Sequence, residues 1–255
     1  MRQQGAALNI PADWIIPDWP APHCVKAIIT TRAGGFSQGR YAGFNLGGHA
    51  GDDASAVRQN RELLRKYIAG EPKWLKQVHG TKVANADALR APAEADASVA
   101  RNVNNPCVVL SADCLPLLLC DADGSVVAAA HCGWRGLAAG VIEKTVSAMQ
   151  AAPDSLLAYL GPAISHKAYE VGSDVREAFL RGGAGAQQAF TPHAPGKWLA
   201  DLYLLARQRL KRAGVNKIHG GDFCTYTDAI RFFSHRRDGD TGRMASLIWL
   251  ETKSG

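Results

Sequence analysis

The chain has 255 residues, roughly 1.7 domains at about 150 residues per domain, so one large domain or two intimate halves is expected. Hydrophobic residues make up 47% and charged residues 20%, which excludes a disordered chain, a collagen-like chain and a coiled coil. The net charge of +6 comes from scattered Lys and Arg, densest at Lys211-Arg212 and Arg236-Arg237; this favours an anionic small molecule over nucleic acid as partner.

No apolar run reaches the roughly 20 residues of a membrane helix, and the most hydrophobic stretch, residues 108–130, is cut by Asp113, Asp121 and Asp123. Residues 1–17 contain no signal-peptide core. The six cysteines (Cys24, Cys107, Cys114, Cys120, Cys132, Cys224) form no CxxC pair, so reduced thiols in a cytoplasmic setting are expected. A monomer with no membrane partner is expected as well.

In chain order, residues 25–31 predict a β-branched strand ended by Ala33-Gly34-Gly35. A glycine-rich loop follows to Gly51. Asp52 or Asp53 then caps a helix with apolar Val57, Leu64, Tyr67 and Ile68, stopped by Gly70. Residues 74–79 predict a strand before a turn at Gly80, and residues 89–105, small and polar, a surface connection. Residues 107–149 predict strand, turn, strand and helix, the helix running over 137–150. Residues 156–160 predict a strand, 171–181 a helix and GGAGAQQ a flexible loop. Residues 198–213 give the clearest helix, with Gly214 at its C′ position, and residues 247–250 a final strand. Nothing marks an internal boundary, so one α+β domain over 1–255 is expected.

The two apolar runs flanking Asp121-Ala122-Asp123-Gly124 predict a β-hairpin. A four-residue loop places Cys114 opposite His131; an Asp123-Gly124 two-residue turn shifts its partner to Gly133. Either register brings thiol and imidazole to the open end of one ladder. Pro116 lacks an N–H, which predicts an edge strand or a bulge there. His79, in Lys76-Gln77-Val78-His79-Gly80, is a third candidate. Two imidazoles and a thiolate can hold Zn²⁺ with a fourth position open, although spacings of 35 and 17 residues form no local finger pattern. The competing reading is a buried thiol beside an ordinary core histidine.

The strings TRAGGFSQGRYAGFNLGGHAGDD, KQVHG, ADCLPLLL, AAAHCGWRGLAAGVI, YLGPAISHKAYEVG and FFSHRRDGDTGRMASLIWL span about residues 28–250. Together they resemble the laccase-domain, multicopper polyphenol oxidase-like or YfiH-like family. The resemblance implies a four-layer sandwich of mixed β-sheets flanked by helices, with a metal site at His79, Cys114 and His131. It implies phosphorolysis of purine nucleosides (adenosine, inosine, methylthioadenosine) to base and ribose 1-phosphate, with adenosine deamination as a second activity. Relatives are also described as copper polyphenol oxidases and as editors of peptidoglycan precursors. Two residues depart from the family's pattern: Cys132 stands where Ala is usual, and His235 where an aromatic is usual.

Full reduction of O₂ needs several coppers, whereas the eight histidines form no HxH pair; the oxidase, with Cu²⁺ in place of Zn²⁺, therefore ranks below nucleoside chemistry. Deamination fits a single zinc, although the HxE…PCxxC deaminase signature is absent. Phosphate binding points to Arg32 and Arg135, sugar or base recognition to Asn45 and Gln77. Asp113 either orients a ligand or caps its own loop, and His49 and Cys224-Thr225 are left open. A cysteine hydrolase acting on peptidoglycan precursors, with Cys114 as nucleophile and His131 as base, uses the same residues. A non-enzymatic metal or nucleotide binder is the third possibility.

Overall fold

The hairpin around Asp123-Gly124 is the axis of the fold, seen in a computed structural model that describes residues 10–183 and 185–252. The strands in chain order are β1 (Val25–Ile29), β2 (Leu75–Lys76), β3 (Val83–Asn85), β4 (Ala93–Glu94), β5 (Ala97–Ala100), β6 (Cys107–Ser111) and β7 (Leu115–Asp121). They continue with β8 (Val127–Cys132), β9 (Leu156–Leu160), β10 (Glu170–Gly172), β11 (Phe190–Pro192), β12 (Lys197–Ala200), β13 (Lys217–Gly220) and β14 (Met244–Leu250). The α-helices are α1 (Ala54–Leu64), α2 (Trp134–Ala139), α3 (Val141–Met149), α4 (Ser173–Leu180), α5 (Leu202–Arg212) and α6 (His235–Asp238).

A mixed six-stranded sheet runs β13-β9-β7-β8-β5-β3, parallel at its two edges and antiparallel between. An antiparallel sheet, β1-β14-β6, lies against one face. Side chains alternate along the strands, which sorts the core into layers. Leu118, Cys120, Val127 and Ala129 pack on Ile29, Val109, Ile248 and Leu250 between the sheets. Their neighbours Leu117, Leu119, Ala128 and Ala130 point the other way, onto Ile142 and Val146 of α3 and Leu205 and Leu210 of α5. The far face of the small sheet, with Ile28, Val108, Leu247 and Trp249, is covered by Leu64 of α1 and by Phe44 and Leu46. Helix, sheet, sheet and helix make the expected four-layer α+β sandwich. Each leucine fully buried there contributes about 2 kcal/mol relative to exposure.

Several elements differ from expectation. Residues 89–105 are not a surface connection: all four residues of β5 are buried inside the large sheet. Small side chains give a weak hydrophobic signal, yet they suit a strand covered on both faces. Residues 137–150 are interrupted at Gly140, left-handed at φ 100°, between α2 and α3. The predicted helices at 171 and 198 start late, because residues 170–172 and 197–200 pair as strands; Asp201 then caps α5 by accepting from Leu204 N–H. Asp53 caps α1, accepting from Ala56 N–H. Only Leu75–Lys76 of 74–79 is strand.

Pro116 sits on a central strand, not an edge. It pairs with His131, whose N–H turns away to the Asp96 carbonyl, so β8 loses no bond to the proline. On the other side Pro116 C=O accepts from Gly161 N–H, and the Tyr203 hydroxyl lies 3.2 Å from the Gly161 carbonyl that the proline cannot serve. Within the GGAGAQQ stretch, residue 184 lies outside the described residues and Ala186–Ala189 form a 3-10 turn. The start of the stretch read for a leader, and both ends of the expected 1–255 domain, also lie outside them. Among the described residues no helix is long and apolar enough to cross a membrane.

Candidate metal centre

Leu115 pairs with Cys132, the two-residue-turn register, which puts Cys114 across from Gly133 rather than His131. The thiol and imidazole still converge. His131 is the penultimate residue of β8, Cys114 immediately precedes β7, and His79 lies in the loop after β2. Their ligand atoms all fall within 4.8 Å of one another, with Cys114 Sγ 3.8 Å from His79 Nε2. The two imidazoles meet edge to face at 4.8 Å between centroids. Tetrahedral zinc, at about 2.3 Å from sulfur and about 2.0–2.1 Å from nitrogen, spaces such atoms roughly 3.3–3.6 Å apart, so small side-chain rotations close the set. Gly133 leaves the room: a Cβ there would stand 2.6 Å from His79 Cδ2 and 3.2 Å from both Cys114 Sγ and His131 Cε1. The donor set and the space fit a cation held by His79, Cys114 and His131.

Asp96, completely buried, accepts from His131 Nδ1 at 2.9 Å and from the backbone N–H groups of Val78, His79 and Gly80 at 3.1, 2.9 and 2.7 Å. Burial pushes its carboxyl up, but these hydrogen bonds outweigh that and hold it below its ordinary value. Burial likewise raises the Cys114 thiol, and His131 and His79 reverse it, bringing the thiol down to about 6. His131 moves the opposite way: burial lowers it, while the Cys114 charge and the Asp96 hydrogen bond carry it up to about 9. The metal-free centre therefore favours a thiolate beside an imidazolium. His79 and Asp113 have positive φ, 60° and 87°, uncommon for residues other than glycine. Asp113 has its side-chain hydrogen bonds elsewhere than in the cluster: it accepts from Thr225 Oγ1 and from Arg236 N–H, both at 2.6 Å, and so braces its own loop.

The cluster opens into a cavity of about 500 Å³ whose other walls include His49, Arg135, Tyr169, His235, Arg236 and Arg243. Arg135 stacks on Trp134 with its guanidinium 4.4 Å from the ring centroid. Arg236 crosses Tyr169 at 5.3 Å and donates to the Glu170 carbonyl. His235 Nδ1–H donates to the Gly239 carbonyl at 2.8 Å.

Of the candidate substrate residues, Arg135 and Gln77 line this cavity. The Gln77 amide is spent on Leu110, donating to its carbonyl at 2.9 Å and accepting from its N–H at 2.8 Å. Arg32 and Asn45 are not among the lining residues. Arg32 donates to the Ala229 and Ala42 carbonyls and lies over Phe233. Asn45, buried, donates to Asp52 and accepts from Gly47 and Arg243 N–H groups, so it supports the backbone behind Arg243. Cys132 does not join the cluster: its side chain packs in the helix-side core, and burial drives its thiol far up. Cys224 Sγ accepts from Ser165 N–H at 3.4 Å, on a different cavity. Asp96, Tyr169 and Arg243 escaped the sequence. Asp96 lay in the stretch read as surface, and neither Tyr169 nor Arg243 stands in a spacing pattern that marks a site.

Residues 26–251 match the family described as multi-copper polyphenol oxidoreductase laccase. A purine nucleoside phosphorylase of Pseudomonas aeruginosa is 52% identical over 239 residues, covering 93% of this chain and 98% of its own. The purine nucleoside phosphorylase YfiH of Escherichia coli is 51% identical over 241 residues, covering 92% and 98%. Among solved structures, a Neisseria meningitidis protein matches with a TM-score of 0.92 at 52% identity, covering 94% of this chain and all of its own (100%). YlmD from Geobacillus stearothermophilus matches with a TM-score of 0.88 at 30% identity, covering 96% and 99%. Matches of this length and identity assign the chain to the laccase-like, YfiH-type family, whose curated relatives at about half identity are named purine nucleoside phosphorylases.

Proposed function

We propose that the chain is a metal-dependent purine nucleoside phosphorylase that takes adenosine or inosine with phosphate to the base and ribose 1-phosphate, and methylthioadenosine to adenine and 5-methylthioribose 1-phosphate. Adenosine deamination is proposed as a second activity of the same centre, with zinc as its metal and copper as the alternative. The observation that carries this reading is a cationic wall and a Cys/His2 cluster sharing one cavity. The names of the relatives support it.

His79, Cys114 and His131 would hold the zinc, which would supply Lewis acidity in the cavity they share. Arg135 is the leading phosphate ligand. Among the described residues its side chain makes no hydrogen bond or ion pair, so its donors are available to an oxyanion without breaking one. Arg243 and Arg236 add positive charge around the same space, which offsets the charge of a bound phosphate. The Gln77 amide is already satisfied by Leu110, so that side chain contributes shape to the wall. Arg32 and Asn45, outside the cavity, act by supporting the segments that carry it.

A cysteine hydrolase is the second reading, favoured by the order Asp96–His131–Cys114, in which a carboxylate orients an imidazole beside a thiol brought down to about 6. The oxidase description gains less support, because among the described residues only His79, Cys114 and His131 gather as three metal-ligating side chains, enough for one ion. Natively purified protein is assayed for zinc and copper, and then for adenine and hypoxanthine from adenosine plus phosphate, before and after chelation and zinc return. The expected result is zinc near one per chain and adenine release that chelation abolishes and zinc restores. Absence of both products in every condition defeats the phosphorylase reading, and metal uptake with no turnover of any substrate leaves a binder. Bound stoichiometric zinc weakens the hydrolase, since a thiolate tied to metal is a poor nucleophile.

A further inference from the structure

One carboxylate touches both histidine-bearing segments. Asp96 Oδ1 accepts from His131 Nδ1 and His79 N–H, and Oδ2 accepts from Val78 N–H and Gly80 N–H. A carboxylate offers about four acceptor positions, so all of them are engaged. The backbone of Asp96 is anchored as well: its N–H donates to the Lys82 carbonyl and its carbonyl accepts from His131 N–H. It stands one residue before β5, inside the central sheet, with no exposed surface.

We infer that Asp96 is the positioning residue of the metal centre, setting both histidines at once. Toward His131 it accepts a hydrogen bond from Nδ1–H, which leaves the Nε2 lone pair to face Cys114 and His79. Toward His79 it ties three consecutive N–H groups and so enforces the positive φ of 60° at the middle one, a conformation that persists only where its surroundings impose it. Asparagine at this position retains one acceptor oxygen and turns an NH₂ group toward N–H donors, so one of the two tasks fails. The inference rests on the metal reading of the site.

The test uses full-length wild type, Asp96→Asn, Asp96→Glu and Val99→Ala, with zinc alone as the probe. Zinc affinity is measured by chelator competition, thermal stability on the metal-free proteins, and the His131 tautomer by long-range ¹⁵N–¹H NMR of zinc-loaded wild type. Asp96→Asn is expected to weaken zinc binding by about 10–100-fold, and Asp96→Glu, with the carboxylate displaced by one methylene, to weaken it less. Val99→Ala, a core truncation in the strand that Asp96 precedes, lowers stability without moving zinc affinity. The NMR spectrum of wild type shows His131 protonated at Nδ1 and ligating through Nε2. Zinc affinity within twofold of wild type in Asp96→Asn, or an equal loss in Val99→Ala, overturns the inference. So does His131 ligating through Nδ1, which needs no variant to fold. Wild type that takes up no zinc is a different failure, of the metal reading itself, and removes the inference with it.

Discussion

The two ends of the β7–β8 hairpin each rely on a buried aspartate, and they differ in what that aspartate holds. At the closed end Asp121 accepts from Ser125 N–H at 2.7 Å, Val126 N–H at 3.0 Å and the Ser125 hydroxyl, which fixes a turn and nothing more. At the open end Asp96 spends its acceptors on an imidazole and a strained loop. The cysteines in and just before β7 register the difference. Cys120 is driven up to about 12 by burial, with the Asp121 charge adding to the rise. Cys114, six residues earlier, comes down to about 6 because two imidazoles outweigh the same burial effect. Burial by itself keeps a thiol protonated; burial beside imidazoles favours the thiolate, the form that can bind a metal.

The contrast is tested hardest by removing the thiols in turn. Cys114→Ala is expected to lose both zinc and nucleoside turnover, whereas Cys120→Ala and Cys132→Ala keep both and cost about 1 kcal/mol of stability each. Metal content and adenine release decide it, and equal losses would mean the wrong thiol had been assigned. Next in size is reactivity. In metal-free protein the thiolate of Cys114 fills as pH rises through about 6, so alkylation followed by peptide mass spectrometry should find it labelled at pH 7. Cys120, with its thiol near 12, should stay unlabelled at pH 8. Labelling of both alike breaks the comparison.

Smaller effects sharpen it. Arg135→Ala should raise the KM for phosphate by about tenfold, the loss of one charge-assisted contact, with zinc content unchanged. Arg32→Ala should lower the melting temperature and leave that KM alone; a change in KM would return Arg32 to the substrate. The smallest expected effect is at the closed end. Asp121→Asn should cost about 1–3 kcal/mol in chemical denaturation while zinc affinity stays at the wild-type value.

The three clustered side chains were legible because each sits where local rules apply: His79 before a glycine turn, Cys114 and His131 at the end of a hairpin that Asp123-Gly124 announces. Two registers fit the same loop, since loop length alone does not say which residues twist. Asp96 was illegible for a different reason. Ala97, Ser98 and Ala100 carry little hydrophobic signal, and their strand exists through pairing with β8, a contact between distant parts of the chain. Trp198 and Leu199 fit a helical stripe as well as a strand, and pairing with β10 and β11 decided between them. Asp201, a capping residue type, was the sequence mark of the true helix start. Arg243 reaches the cavity because β14 crosses the small sheet beside β6, a topological fact with no local imprint.

Gly133 has φ −59° and ψ 151°, angles open to every amino acid, so its backbone gives no reason for glycine. The reason is volume. One methyl group would stand where three donors converge, crowding the His79 ring at 2.6 Å while leaving the turn into α2 undisturbed. A Gly133→Ala chain is thus expected to fold and melt much as its parent does, yet arrive with its seat for the cation plugged. Steric vacancy at a single backbone position, rather than any added functional group, is what leaves the other three side chains room to converge.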